Sequence, residues 1–207
     1  MYVRPPAGRR PPPIVNLPPA TKLVAVLLIL FYLAELVPGL HRTMLLWLAF
    51  EPRAAPVAWI AGAVTFGLLH GSAMHLIGNL LGVVILAPLV ERRHGAAALI
   101  RLLLAGAAAG AAAHTAVQYL THGNAILIGA SASVAALIGW SLRQVHDGRG
   151  FGHLNQAVTI YGLFFVGFNL VGLLALDDSP IAYAAHAGGF LAGWLLGHLG
   201  TSLIGRR

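Results

Sequence analysis

The sequence predicts an all-α fold: a polytopic membrane protein built as a bundle of six transmembrane helices with an interfacial first loop. Three observations lead there. Of 207 residues, 58% are hydrophobic and only 9% are charged, with a mean hydropathy of +0.80, whereas a soluble domain carries about 25% charged residues. The apolar residues gather into six runs, each near the ~20 residues that cross a hydrocarbon core. The 13 Lys and Arg residues become strongly one-sided once those runs are drawn as spans.

The elements follow in chain order. Residues 1–20 read as a basic, proline-rich cytoplasmic tail and residues 21–207 as the membrane domain. Pro5, Pro6, Pro11, Pro12, Pro13, Pro18 and Pro19 oppose a stable helix, and Arg4, Arg9 and Arg10 make the tail basic. The first span covers about 22–40 and stops at Pro38-Gly39. It is too long for a signal peptide, and no small-residue cleavage site follows. Residues 41–65 mix Leu45, Leu46, Trp47, Leu48, Phe50 and Trp59 with His41, Arg42, Glu51 and Arg53. Such a mixture suits short half-buried helices at headgroup level. Further spans are expected at about 72–92, 96–119, 131–146, 155–175 and 181–203. The fourth is short, so its start can be buried within protein. The third is rich in alanine around Gly106 and Gly110, a composition for close helix packing.

An even number of spans puts both termini on one side. With that side cytoplasmic, Arg4, Arg9, Arg10, Lys22, Arg92, Arg93, Arg101, Arg143, Arg149, Arg206 and Arg207 lie at or near it. Only Arg42 and Arg53 fall outside, together with Asp177 and Asp178. An odd count destroys this bias. The basic residues are scattered singly or in pairs with no stripe, so nucleic acid is not an expected partner. Cysteine is absent, which removes thiolate metal sites, disulfides and cysteine nucleophiles.

Within the apolar runs a few polar residues stand out. Nucleophilic or ionisable groups in a bilayer are costly and usually functional. Ser131, His75 and His186 all lie near the starts of spans that begin at the outer face, so they share a depth. His75 and Asn79 are four apart and share one helix face, with His70 in the entry turn. On the sixth span His186, Gly189 and Gly193 form one stripe, and Ser131, Ala135 and Gly139 form another on the fourth. Small-residue stripes let membrane helices approach closely. Two such stripes face to face bring Ser131 to His186.

A serine beside a histidine supports acyl transfer, with the imidazole first taking the hydroxyl proton and later protonating the leaving amine. The Ser131 N–H, the Asn79 amide and His75 are candidate donors to the oxyanion. No acidic residue lies near His186 in depth, so a two-residue unit is expected. Taken singly, Ser131 reads as a membrane serine bonded to a carbonyl one turn back, and Ser133 is expected to do just that. His114 reads as structural. A metal site from His70, His75 and His186 lacks a carboxylate or thiolate partner. A transporter requires internal repeats that the sequence does not contain. No cofactor or metal is expected.

These residues resemble the rhomboid intramembrane serine proteases. The match runs through His70-Gly-Ser-Ala-Met-His75-Leu-Ile-Gly-Asn79, Glu91-Arg92-Arg93-His94-Gly95, Gly129-Ala130-Ser131 and Ala185-His186-Ala187-Gly188-Gly189 with Gly193. Any one motif is weak, but the four in order over about residues 22–203 are specific. The resemblance implies a six-span fold with a water-filled cavity opening outward. It implies Ser131 as nucleophile, His186 as base, and Asn79 and His75 as oxyanion donors. Glu91 and Arg93 would organise a cytoplasmic loop, and the 41–65 loop would lie in the outer leaflet. Substrates would be single-span membrane proteins cut near the outer face, in a bacterial inner membrane. The chain departs from the family pattern at three places: Ala132 replaces a glycine, Ala135 replaces a tyrosine that packs on the base, and Ala61-Gly62 replaces a Trp-Arg pair. The methyl at 132 would press on the oxyanion turn, and Ala135 would leave His186 less well held. These departures favour the alternative of a catalytically inactive relative that binds transmembrane helices. The retained serine, histidines and Asn79 favour the enzyme.

Overall fold

A computed structural model describes residues 16–174 and 183–198. Among them are eight α-helices: α1 (Pro19–Glu35), α2 (Leu40–Leu48), α3 (Pro56–Thr65), α4 (Ala73–His94), α5 (Ala96–Leu120), α6 (Ser131–His146), α7 (Asn155–Leu174) and α8 (Tyr183–His198). Helices α1 and α4–α8 correspond to the six apolar runs, and α2 and α3 are the two short helices of the first loop. The helices Ala73–His94 and Ala96–Leu120 and the stretch Gly152–Gly172 are long and apolar enough to cross a membrane. The protein is a polytopic membrane bundle.

The boundaries differ from the sequence reading at the start of the chain. Helix α1 begins at Pro19, inside the expected tail, because a proline at the first helical position gives up an N–H that has no intrahelical acceptor anyway. It ends at Glu35, short of Pro38-Gly39. Residues 1–15, Asp177, Asp178, the ends of the 181–203 run, Arg206 and Arg207 lie outside the described residues.

The centre of the bundle is a three-helix contact of α5, α6 and α8 made at glycine. A Cβ on Gly189 would overlap the Ala132 carbonyl, one on Gly193 the Ala136 carbonyl, and one on Gly139 the Phe190 carbonyl. Gly188, on the neighbouring face of α8, lies against Ala109 and Ala113 of α5. Gly106 and Gly110 of α5 face Ala136 and Ala132. The α6 positions opposite Gly189 and Gly193 are thus Ala132 and Ala136, one residue on from the expected Ser131–Ala135 stripe. The seam runs through 132, 136 and 139, which places Ser131 at its edge, where its hydroxyl is free to meet a side chain rather than a backbone. Helix α4 packs on the other side, where Leu76, Val83, Leu86 and Val90 join Leu99, Leu102, Val134, Leu137, Ile138 and Trp140 in a buried cluster.

The turns at the Ser131 end are tied down by backbone bonds. Phe50 and Leu127 exchange N–H···O bonds of 3.1 and 2.9 Å, and Gly129 N–H donates to Phe66 O at 2.9 Å. Phe50 is fully buried, with the Trp59 ring edge-on at 5.2 Å. Gly62, where the family's Trp-Arg pair would fall, is buried against the Ala49–Phe50 backbone. At the opposite end, Glu91 accepts from Ala20 N, Thr21 N and Thr21 Oγ1 at 2.7–2.9 Å. Arg93 donates to Arg149 O at 2.6 Å and Gly150 O at 2.9 Å and lies over the Phe151 ring. Glu91 thereby caps the N-terminus of α1, an arrangement favoured by the helix dipole, and of the two residues it is Arg93 that bonds to the turn after α6.

Candidate active site

Ser131 is the first residue of α6, and the turn before it depends on glycine. Gly129 has φ +106°, a conformation disfavoured for L side chains, and any Cβ there would also collide with the His75 ring. The turn directs the Ser131 N–H out of the helix end, where the first N–H groups lack intrahelical acceptors. The methyl of Ala132 points away from this turn, against Gly110 of α5, and is 1% exposed. The methyl thus packs on α5, whereas the sequence reading has it pressing on the turn before Ser131. Ser133 Oγ donates to Leu103 O on α5 at 2.8 Å. It bonds across helices rather than one turn back, because its side of α6 faces α5.

Ser131 Oγ lies 2.8 Å from His186 Nε2. His186 Nδ1 lies 2.6 Å from Oδ1 of Asn169 on α7. The Asn169 amide is oriented by its other end, where Nδ2 donates to Phe165 O at 2.8 Å. Its Oδ1 can only accept, so His186 Nδ1 carries the proton and Nε2 is the bare acceptor for the Ser131 hydroxyl. The expected pair is thus extended by a third, uncharged residue. Sequence reasoning passes over Asn169, although an amide in an apolar run was the available signal. The Phe165 ring sits on His186 at 5.5 Å between centroids, tilted by 46°. It packs on the imidazole from α7, where the resemblance places a tyrosine on α6 at position 135.

Asn79 on α4 is buried, and its Nδ2 has no hydrogen-bond partner among the described residues. Buried amide donors are rarely left unpaired. His75, one turn before it, is half-buried with its ring against Gly129. Its Nδ1 donates to His70 O at 3.0 Å, which leaves Nε2 of the neutral ring without a proton. His75 can therefore donate to an oxyanion only as the imidazolium, whereas Asn79 donates in any state. The turn carrying these residues is anchored by buried Glu35, which accepts from His70 N at 2.8 Å and Gly71 N at 3.1 Å. His70 acts here through its backbone. His114 Nε2 lies 2.7 Å from Ala125 O and fastens the α5–α6 loop. Glu91 and Arg93 sit at the far end of the bundle from Ser131, and Gly189 and Gly193 line the α6–α8 seam below it.

Comparisons with known proteins agree with this architecture. The Rhomboid domain family model matches residues 57–202. Rhomboid-related protein 2 of Mus musculus is 28% identical over 167 residues, which cover 73% of this chain and 51% of the mouse protein. The chain thus spans about half the length of that relative. With the matched region taking in α3 to α8 and every residue around Ser131 and His186, the chain belongs to the rhomboid family.

Proposed function

We propose that this protein is an intramembrane serine endopeptidase that cleaves single-span membrane proteins near the outer membrane face, with both of its own termini cytoplasmic. Ser131 is the nucleophile and His186 the general base. The observation that carries this reading is the 2.8 Å approach of Ser131 Oγ to a His186 Nε2 whose tautomer is fixed from its other side. Ser131 Oγ attacks the scissile carbonyl as its proton passes to Nε2, and the same proton then goes to the leaving amine. Water, deprotonated by His186, releases the acyl group. The tetrahedral oxyanion is met by the Ser131 N–H and by Asn79 Nδ2, and His75 adds a donor only in its imidazolium form. No step requires a cofactor.

The inactive, helix-binding alternative draws on the departures at 132, 135 and 61–62. Against the first two stand the packing of the Ala132 methyl beside Gly110 and of Phe165 on His186. Purified protein in detergent is expected to react with a fluorophosphonate at Ser131, and Ser131→Ala to remain unlabelled. Equal labelling of both, or none of either across several probes and membrane substrates, would overturn the protease reading in favour of the binder.

A further inference from the structure

The base is held by the least buried of the three long apolar helices. Only 11% of the α7 span is buried, against 44% for α4 and for α5. Leu163, Phe164, Phe168 and Val171 are 50–72% exposed. The inward side of α7 is narrow: Val158, Tyr161, Phe165 and Asn169, three and four residues apart, turn toward the bundle. The last two end on His186. Asn169 fixes the tautomer, and its own amide is fixed by Phe165 O, so the orienting group is built from two consecutive turns of one helix. His186 itself belongs to α8, which is anchored independently through Gly188, Gly189 and Gly193. The protein could therefore keep Ser131 and His186 in place while losing the group that decides which imidazole nitrogen is bare.

We propose that Asn169 is a positioning residue that makes activation of Ser131 conditional on α7 being docked against α6 and α8, with Phe165 restricting the imidazole from the same helix. The proposal rests on the protease reading for its kinetic consequence but not for its structural one. With α7 in place, Nδ1–H is bonded and Nε2 receives the serine proton. With α7 displaced, His186 samples the tautomer with hydrogen on Nε2, which cannot act as base.

The test has two readouts. In protein labelled with ¹⁵N-histidine, the His186 signals are identified by their loss in His186→Gln. Wild type is expected to show one tautomer, protonated at Nδ1. Asn169→Leu is expected to show a mixture, and Asn169→Asp, which retains an acceptor oxygen, to restore the single form. In parallel, Asn169→Leu lowers kcat by roughly 10²-fold, the lower end of what a positioned base contributes, with KM and thermal unfolding unchanged. Asn169→Asp recovers most of that loss. An unchanged His186 tautomer in Asn169→Leu overturns the proposal. Because the spectrum is read without turnover, a protein that neither cleaves nor labels but shows the tautomer change sinks the protease reading and leaves the positioning role standing.

Discussion

The α5–α6–α8 seam and helix α7 meet at His186, but they hold it by different means. In the seam, backbones approach closely: Gly188, Gly189 and Gly193 bring α8 against the carbonyls of Ala109, Ala132 and Ala136, and Gly110 makes room for the Ala132 methyl and the Ala185 carbonyl. On α7 the hold is two side chains, Phe165 and Asn169, on a helix mostly turned outward. A backbone seam tolerates no added atom, because the atom it would meet is a carbonyl fixed in a helix. A side-chain hold tolerates substitution at the cost of orientation. Ser131 and His186 are thus brought together by the rigid region, and the hydrogen bond at Nδ1 of the imidazole comes from the adjustable one.

The largest expected effect tests whether the two placed residues act together. Ser131→Ala and His186→Ala should each reduce cleavage of a membrane substrate by on the order of 10⁶, and the double variant should be no worse, as for residues acting as one unit. Additive losses would mean that the 2.8 Å contact is not the working one. Next comes the seam itself. Gly189→Val drives a branched side chain into the Ala132 carbonyl, and should lower stability in mixed micelles by roughly 3 kcal/mol while abolishing fluorophosphonate labelling. If Gly189→Val is as stable and reactive as wild type, the seam is not rigid and the contrast with α7 collapses.

Asn79 sharpens the comparison, because it is buried without a partner for Nδ2 among the described residues. An unpaired buried polar group costs about 1–3 kcal/mol. Asn79→Leu should therefore raise unfolding stability by roughly 1 kcal/mol while lowering kcat by on the order of 10²–10³, the worth of one oxyanion donor. Loss of stability together with activity would assign Asn79 a packing role instead. The smallest effect concerns Ala132. Its methyl fills the space beside Gly110, so Ala132→Gly should cost about 1 kcal/mol, from the lost buried methyl and the freer unfolded backbone, with turnover unchanged. A faster enzyme would mean that the methyl does press on the turn before Ser131.

Much of the site was legible because water-loving groups in an apolar run have few innocent explanations. Ser131, His186, His75 and Asn79 stood out by that rule and by their motif spacing, and the glycine stripe predicted the α6–α8 contact. The facing register was off by one residue, since a stripe read from one helix does not say which of two adjacent rows its partner uses. Asn169 obeyed the same rule yet lay in no motif, and Phe165 is one aromatic among many in an apolar span.

Composition, hydropathy and small-residue spacing by themselves determined a membrane bundle and the polar residues it cannot expose to lipid, because desolvation acts on each residue regardless of its neighbours. Only the tertiary structure decided how the departures from the family pattern are absorbed. Whether a methyl at 132 strains a turn depends on the glycine that faces it from α5, and whether His186 is held without a tyrosine at 135 depends on which helix lies across from it. Complementarity between distant positions is a property of the pair, and no single stretch of sequence carries it.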